Sequence, residues 1–229
     1  MKNRILALID GFNYYHKIKN YEKKFDIPVK WLNYRQLIES FLSDEDDKNN
    51  VNIVYFSALA LFRGFLSVKR HQTYISALHF LNIETVLGNF KNKQISKCAI
   101  KEKCQNCVIT PSGSLQRHEE KESDVNIAIR LIEDTLLDKY DKCFLLSGDS
   151  DFVSVVKRAK TLRADKKIII VPPPPPTNER YIKPSKYVSQ DLAKASQNNA
   201  LLINFQRIRD CQLPDNFNGL KNPFISISH

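Results

Sequence analysis

No stretch of this sequence approaches the ~20 consecutive apolar residues of a membrane-spanning helix. Lys2 and Arg4 precede only the run at residues 5–9 before Asp10, too short for the apolar segment of a secretory signal, so the expected compartment is the cytoplasm. Glycine is scarce, with 6 residues in 229. Neither G-x-x-x-x-G-K-[ST] nor a G-x-G-x-x-G following a strand occurs, which argues against the glycine-rich phosphate cradles of P-loop and dinucleotide-binding proteins. No Ser-His-Asp set announces nucleophilic hydrolysis. Internal repeats are also missing. Cysteines number 5, an odd count that in a reducing compartment favours free or metal-bound thiols over disulfides.

What the chain does have is positive charge. Lys and Arg total 35 against 25 Asp and Glu, for a formal charge of +10, and the sequence pI is about 9.3; such a balance favours a polyanionic partner. The excess is concentrated. Residues 157–209 carry twelve Lys or Arg against Asp165, Glu179 and Asp191. Residues 123–156 run the other way, with Asp124, Glu133, Asp134, Asp138, Asp141, Asp149 and Asp151 against Arg130, Lys139 and Lys142. Glu133, Asp134, Asp138 and Asp141 suit a solvated helix face and its turn, which leaves Asp124, Asp149 and Asp151 to be explained.

Hydrophobic patterning predicts alternating strands and helices. Residues 4–9 are a continuous apolar run that stops at Asp10-Gly11, as a buried strand would, and residues 12–19 read as a helix. Asn33 is placed to cap a second helix, 43–50 read as an exposed linker, and 51–59 read as a strand. Residues 68–81 have helical spacing, 83–87 read as a strand, and 91–121 form an insertion without a convincing period. Beyond it, Val125, Ile129, Ile132 and Leu136 share a helix face, 142–147 form a short apolar strand, and a helix at 152–162 and a strand at 167–171 complete the core. Pro172–Pro176 predict a stiff spacer leading into a basic tail with a weak helix near 190–195 and a strand at 201–204. Strands that are apolar throughout predict a mostly parallel sheet with helices on both faces.

In such sheets, sites lie at the carboxyl ends of strands. Asp10 follows the first strand, Asp149 and Asp151 follow residues 142–147, and Asp124 lies in the first turn of its helix. Each acid taken singly suits a cap or an Asx turn. Gathered at one rim they repel, by about 4 kcal/mol per close pair at an effective dielectric near 20, unless divalent cations enter. Oxygen-only ligands suit Mg²⁺ or Mn²⁺, which bind phosphate oxygens and activate water for attack on phosphorus. An aspartyl-phosphate phosphatase would carry D-x-D after the first strand, where this chain has Asp10-Gly11-Phe12.

Leu8-Ile-Asp-Gly-Phe-Asn13, Glu120-Lys-Glu-Ser-Asp-Val-Asn-Ile-Ala128 and Leu146-Ser-Gly-Asp-Ser-Asp-Phe152, in that order, resemble the signature blocks of NYN domains. The resemblance covers roughly residues 5–173. It implies a PIN-like, three-layer α/β fold with an acidic Mg²⁺ or Mn²⁺ pocket, and ribonuclease activity on single-stranded RNA that leaves a 5′ phosphate. It assigns metal binding to Asp10, Asp124, Asp149 and Asp151, a polar supporting role to Asn13, a hydrogen-bonding role to Ser147 and a phosphate contact to Lys121. A non-catalytic RNA-binding or regulatory module and a metal-dependent phosphatase remain as alternatives. The chain divides on this reading into a nuclease domain at 1–173, with the insertion at 91–121, and a basic extension at 174–229 that packs on it.

Within the insertion Cys98, Cys104 and Cys107 form C-x5-C-x2-C, followed by His118, the inventory of a structural Cys₃His zinc site; three unliganded cysteines in a loop are the competing reading. Similar cysteine-bearing inserts precede the E-K-x-x-D block in NYN proteins. Arg180, Lys183 and Lys186, placed after the proline spacer, are the expected RNA contacts of the tail. Phe12, Tyr14, Tyr15 and Phe152 adjoin the acids, as base-stacking platforms or as core. His16, His71 and His79 receive no role.

Overall fold

The apolar run at residues 5–9 forms the middle of β1 (Asn3–Asp10), which has parallel neighbours on both sides: β2 (Asp46–Ala58) and β6 (Lys142–Leu146). A strand covered on both faces needs no polar alternation. Ile5, Ala7 and Ile9 enter one core cluster, and Leu6 and Leu8 the other. The computed structural model describes residues 2–96, 107–111, 113–174 and 188–225. Arg180, Lys183, Lys186, Cys98 and Cys104 lie outside the described residues.

β3 (Glu84–Ile95) pairs parallel with β2, and β7 (Lys167–Ile170) parallel with β6. β4 (Cys107–Ile109) and β5 (Leu115–Lys121) add antiparallel strands beyond β3, giving a seven-stranded sheet in the order β4-β5-β3-β2-β1-β6-β7. Over one face lie α1 (Gly11–Phe25), α2 (Tyr34–Glu39) and α3 (Phe65–Phe80), which contribute Tyr14, Ile18, Leu37, Ile38, Ala77 and Leu78 to the first cluster. α4 (Ser123–Leu136) and α5 (Val153–Leu162) cover the other with Ile127, Leu131, Val156 and Ala159. The fold is α/β, with a mostly parallel sheet between two helical layers.

Residues 188–225 contribute to both layers. α6 (Gln190–Ala195) adds Leu192 and Ala195 to the second cluster, and α7 (Phe205–Asp210) adds Phe205 and Ile208 to the first. β8 (Asn216–Phe217) and β9 (Leu220–Lys221) form a two-stranded ribbon. No helix among the described residues is long and apolar enough to cross a membrane.

Three details differ from the sequence expectation. Asp46 to Asn50, read as an exposed linker, begin β2, because Asp46 is fully buried and ion-paired with Lys142, with a further hydrogen bond from Asn3. The strand expected at 201–204 is a single bridge, Ile170 to Ala200, followed by α7. The insertion is more regular than its sequence: β3 continues to Ile95 and β5 returns along it, Ile95 opposite Leu115 and Asn89 opposite Lys121.

That return positions a functional segment. The parallel pairing of β2 and β3 ends at Ala58 and Gly88, and Lys121 arrives beside Asn89. α4 therefore starts at the carboxyl edge of the parallel strands. From β1 the chain winds outward through β2 and β3, then crosses back to β6 on the other side of β1. β1 and β6 thus flank a topological switch point, the usual place for a ligand crevice in an open α/β sheet.

Candidate metal centre

Asp10 ends β1 and caps α1: one carboxylate oxygen accepts the Asn13 backbone N–H at 2.9 Å, and the other accepts the Ser147 hydroxyl at 2.9 Å. Ser147 is the first residue after β6 and is fully buried. Its oxygen also accepts the backbone N–H of Asp149 at 3.2 Å, and Asp149 caps the 3-10 turn Ser150–Phe152 by accepting the Asp151 N–H at 3.0 Å. Ser147 thus bridges the two strand ends that supply Asp10 and Asp149.

These acids feel one another. Asp10, only 4% exposed, has its carboxyl pushed up to about 6, first by burial and further by Asp124 and Asp149, against the opposing pull of its hydrogen bonds from Asn13 and Ser147. Asp124, at the exposed start of α4, is raised by partial desolvation and then by Asp149 and Asp151. The capping roles weighed from the sequence are real for Asp10 and Asp149, yet capping accounts neither for the burial of Asp10 nor for the mutual repulsion.

A fifth carboxylate belongs to this neighbourhood. Glu120, near the end of β5, is raised to about 7 by burial, with the Ser123 hydrogen bond opposing and Asp10 and Asp124 adding to the rise. The sequence signal was its place four residues before Asp124, visible only once β5 is known to end at this rim. Asn13 supplies a further anomaly: its side-chain oxygen is buried and lacks a hydrogen-bond partner among the described residues. Only the backbone N–H of Asn13 is bonded to Asp10, and a buried acceptor left open on the same residue is a group that water or a hydrated cation could satisfy.

The acids do not form a ready ligand shell. Among the described residues, no three His, Cys, Asp or Glu side chains are grouped closely enough to hold an ion. Lys121, the expected phosphate contact, pairs with Glu119 at 3.1 Å. Tyr14 and Phe152 prove to be core residues: Tyr14 is fully buried and donates its hydroxyl to the Val171 carbonyl at 2.6 Å, and Phe152 is 1% exposed.

The expected zinc set is divided. Cys107 stands opposite Arg117 across the β4–β5 ladder. Residues directly opposite share a face and successive residues alternate, so His118 lies on the other face from Cys107. There His118 is buried and stacked on Phe62 with ring centroids 3.8 Å apart. The imidazole packs against Phe62 on the face away from Cys107, and the other two cysteines of the expected set lie outside the described residues.

The NYN domain model matches residues 4–190 of the chain. No curated protein matches it. A crystal structure of a protein of unknown function from Vibrio parahaemolyticus RIMD 2210633 is similar, with 21% identity, a TM-score of 0.53, and coverage of 93% of this chain and 97% of that one. At that identity the likeness carries the fold alone.

Proposed function

The chain belongs to the NYN domain family, and on that premise we propose that it is a Mg²⁺- or Mn²⁺-dependent ribonuclease acting on single-stranded RNA. The observation that carries the reading is the set of mutually repelling carboxylates gathered at the carboxyl edge of the sheet, with Asp10 and Asp149 joined through Ser147. Asp10, Asp124, Asp149 and Asp151 would hold the ions, with Glu120 as a further acid within the same field. Bound there, a divalent ion supplies a water of lowered pKa and neutralises charge on the scissile phosphate. Ser147 fixes Asp10 relative to Asp149, and Asn13 orients water or phosphate oxygen. Lys121, Arg180, Lys183 and Lys186 are proposed to hold the RNA backbone. Residues 1–173 are proposed as the nuclease domain and 174–229 as its basic extension.

A second reading, a non-catalytic RNA-binding module, is favoured by the absence of a preformed ligand shell among the described residues. Incubating end-labelled single-stranded RNA with the purified chain in Mn²⁺ or in EDTA separates the two. The nuclease reading expects products with 5′ phosphates in Mn²⁺ and none in EDTA; intact RNA in both, with binding retained, would establish the second. Cleavage restricted to a small chromogenic phosphate would favour the phosphatase alternative.

Zinc in the insertion is a separate proposal, resting on the three cysteines alone. Elemental analysis of protein prepared without chelators should find about one equivalent, lost in Cys104→Ser/Cys107→Ser and retained in His118→Ala. Zinc-free protein would return these residues to ordinary thiols.

A further inference from the structure

The spacing of Val125, Ile129, Ile132 and Leu136 puts them on one face of α4, and that face is turned away from the sheet. The residues that α4 buries are Ser123, Ile127, Leu131, Asp134 and Thr135. At about 3.6 residues per turn the apolar row lies on the opposite side of the helix. Val125, Ile129 and Leu136 are 59%, 50% and 59% exposed, and Ile132 between them is half-buried. A helix that covers a sheet needs one apolar stripe, and its solvent side is ordinarily polar. Single exposed apolar residues need no explanation. A row continued over about three turns is a patch, and such patches mark contact surfaces.

The borders of the row decide what covers it. Glu122, Asp124 and Glu133 stand exposed around it, in the acidic stretch of an otherwise basic chain, so neither RNA nor an anionic lipid surface suits this face. Lys139, also exposed, follows the C-terminal end of the helix. An aliphatic row with an acid at one end and a base at the other is complementary to its own reverse.

We infer that α4 docks antiparallel on α4 of a second copy of this chain, about a two-fold axis at the level between Arg130 and Leu131. Such a contact uses the same patch on both copies. In that register Ile129 meets the partner's Ile132, and Val125 meets the partner's Leu136. Glu122 comes to the partner's Lys139 at both ends, and the Asn126 amide lies within a turn of the partner's Glu133 on the same flank. The two helix dipoles oppose, which favours the antiparallel arrangement. Within one copy Glu122 accepts a hydrogen bond from Asn89 at 2.9 Å, and Lys139 pairs with Asp134 at 3.3 Å. Asp134 is held by Arg130 as well, at 2.7 Å, so Lys139 can serve both carboxylates. Asp124 lies about 100° around the helix from Val125. The pairing therefore does not involve the carboxylate hollow, and it stands or falls apart from the nuclease reading.

Sedimentation velocity of the full chain, from micromolar to hundreds of micromolar, reads the pairing. Moderate salt screens the repulsion of two chains that each carry +10, and a single helix pair sits at the small end of specific interfaces, which sets the concentration range. Twice the 26.5 kDa of one chain is expected at the upper end. Ile129→Lys and Leu136→Lys, each at an exposed position and each repeated by the two-fold axis, should weaken dimerisation at least about tenfold without lowering the thermal stability of the monomer. Glu122→Lys and Lys139→Glu should each weaken it roughly fivefold, and the double exchange should restore it. Glu122 and Lys139 stand at opposite ends of one helix and cannot meet within a copy, so the rescue reads the antiparallel register alone. A chain that stays monomeric throughout, a dimer indifferent to both lysine substitutions, or charge exchanges that fail to rescue each other would overturn the inference.

Discussion

Asp149→Asn is expected to lower Mn²⁺-dependent RNA cleavage by at least about 10³-fold, beyond the ~10–100-fold typical of groups that merely support a metal ligand. The substitution is conservative for everything except charge. Asparagine caps a helical turn as well as aspartate does, so the acceptor for the Asp151 N–H is kept. Removing one negative charge relieves Asp10 and Asp124, both of which Asp149 pushes toward protonation. The melting temperature should therefore hold or rise by a few degrees, at ~2–4 °C per kcal/mol for a chain of this length. Thermal unfolding and single-turnover cleavage on the same preparation read both effects. Undiminished cleavage, or cleavage lost only because the protein unfolds, would remove Asp149 from the proposed chemistry.

Gly88→Val should damage fold and function together from a position that carries no chemistry. A Cβ on Gly88 would meet the Lys121 carbonyl oxygen at 2.5 Å and the Ser123 hydroxyl at 3.1 Å. The first of these is backbone and cannot rotate aside. Either β3 or the entry to α4 must shift, at a cost of about 1–3 kcal/mol for an overpacked site, and α4 carries Asp124 in its first turn. A displacement near 1 Å can cost ~10²-fold in rate. The variant should thus unfold several degrees earlier and cleave about 10²-fold more slowly even where it is fully folded. Wild-type cleavage with lowered stability would mean that the placement of Asp124 does not matter to the reaction.

How much of this was legible in the sequence depends on where each residue's partner lies. β1 and β6 were readable because a strand buried on both faces is apolar throughout, and the acids that follow them sit at fixed places on those runs. β3 beyond Gly88 was not. Its outer half is exposed and polar, Lys91, Asn92, Lys93 and Gln94 all lying open, and it is held by the β5 ladder rather than by buried apolar side chains. Asp46 looked like solvent-facing polarity because Lys142, which neutralises it, is remote in sequence and close only across the sheet.

The candidate site divides in the same way. Asp10, Asp124 and Asp149 stand in short motifs that a linear reading can match. Glu120 joins them only through the antiparallel return of β5. His118 suited zinc by its spacing from the cysteines, and strand alternation places it against Phe62, a neighbour that spacing along the chain does not reveal.

Anomalous scattering of Mn²⁺ in crystals of the full chain reads most directly whether the acids at the β1–β6 switch point hold a divalent ion. A Mn²⁺ peak is expected bounded by Asp10, Asp124 and Asp149, with these carboxylates drawn together around it and Asn13 at its margin. A Mn²⁺-saturated crystal with no peak there, or with the metal bound elsewhere while these carboxylates stay apart, would contradict the proposed metal centre.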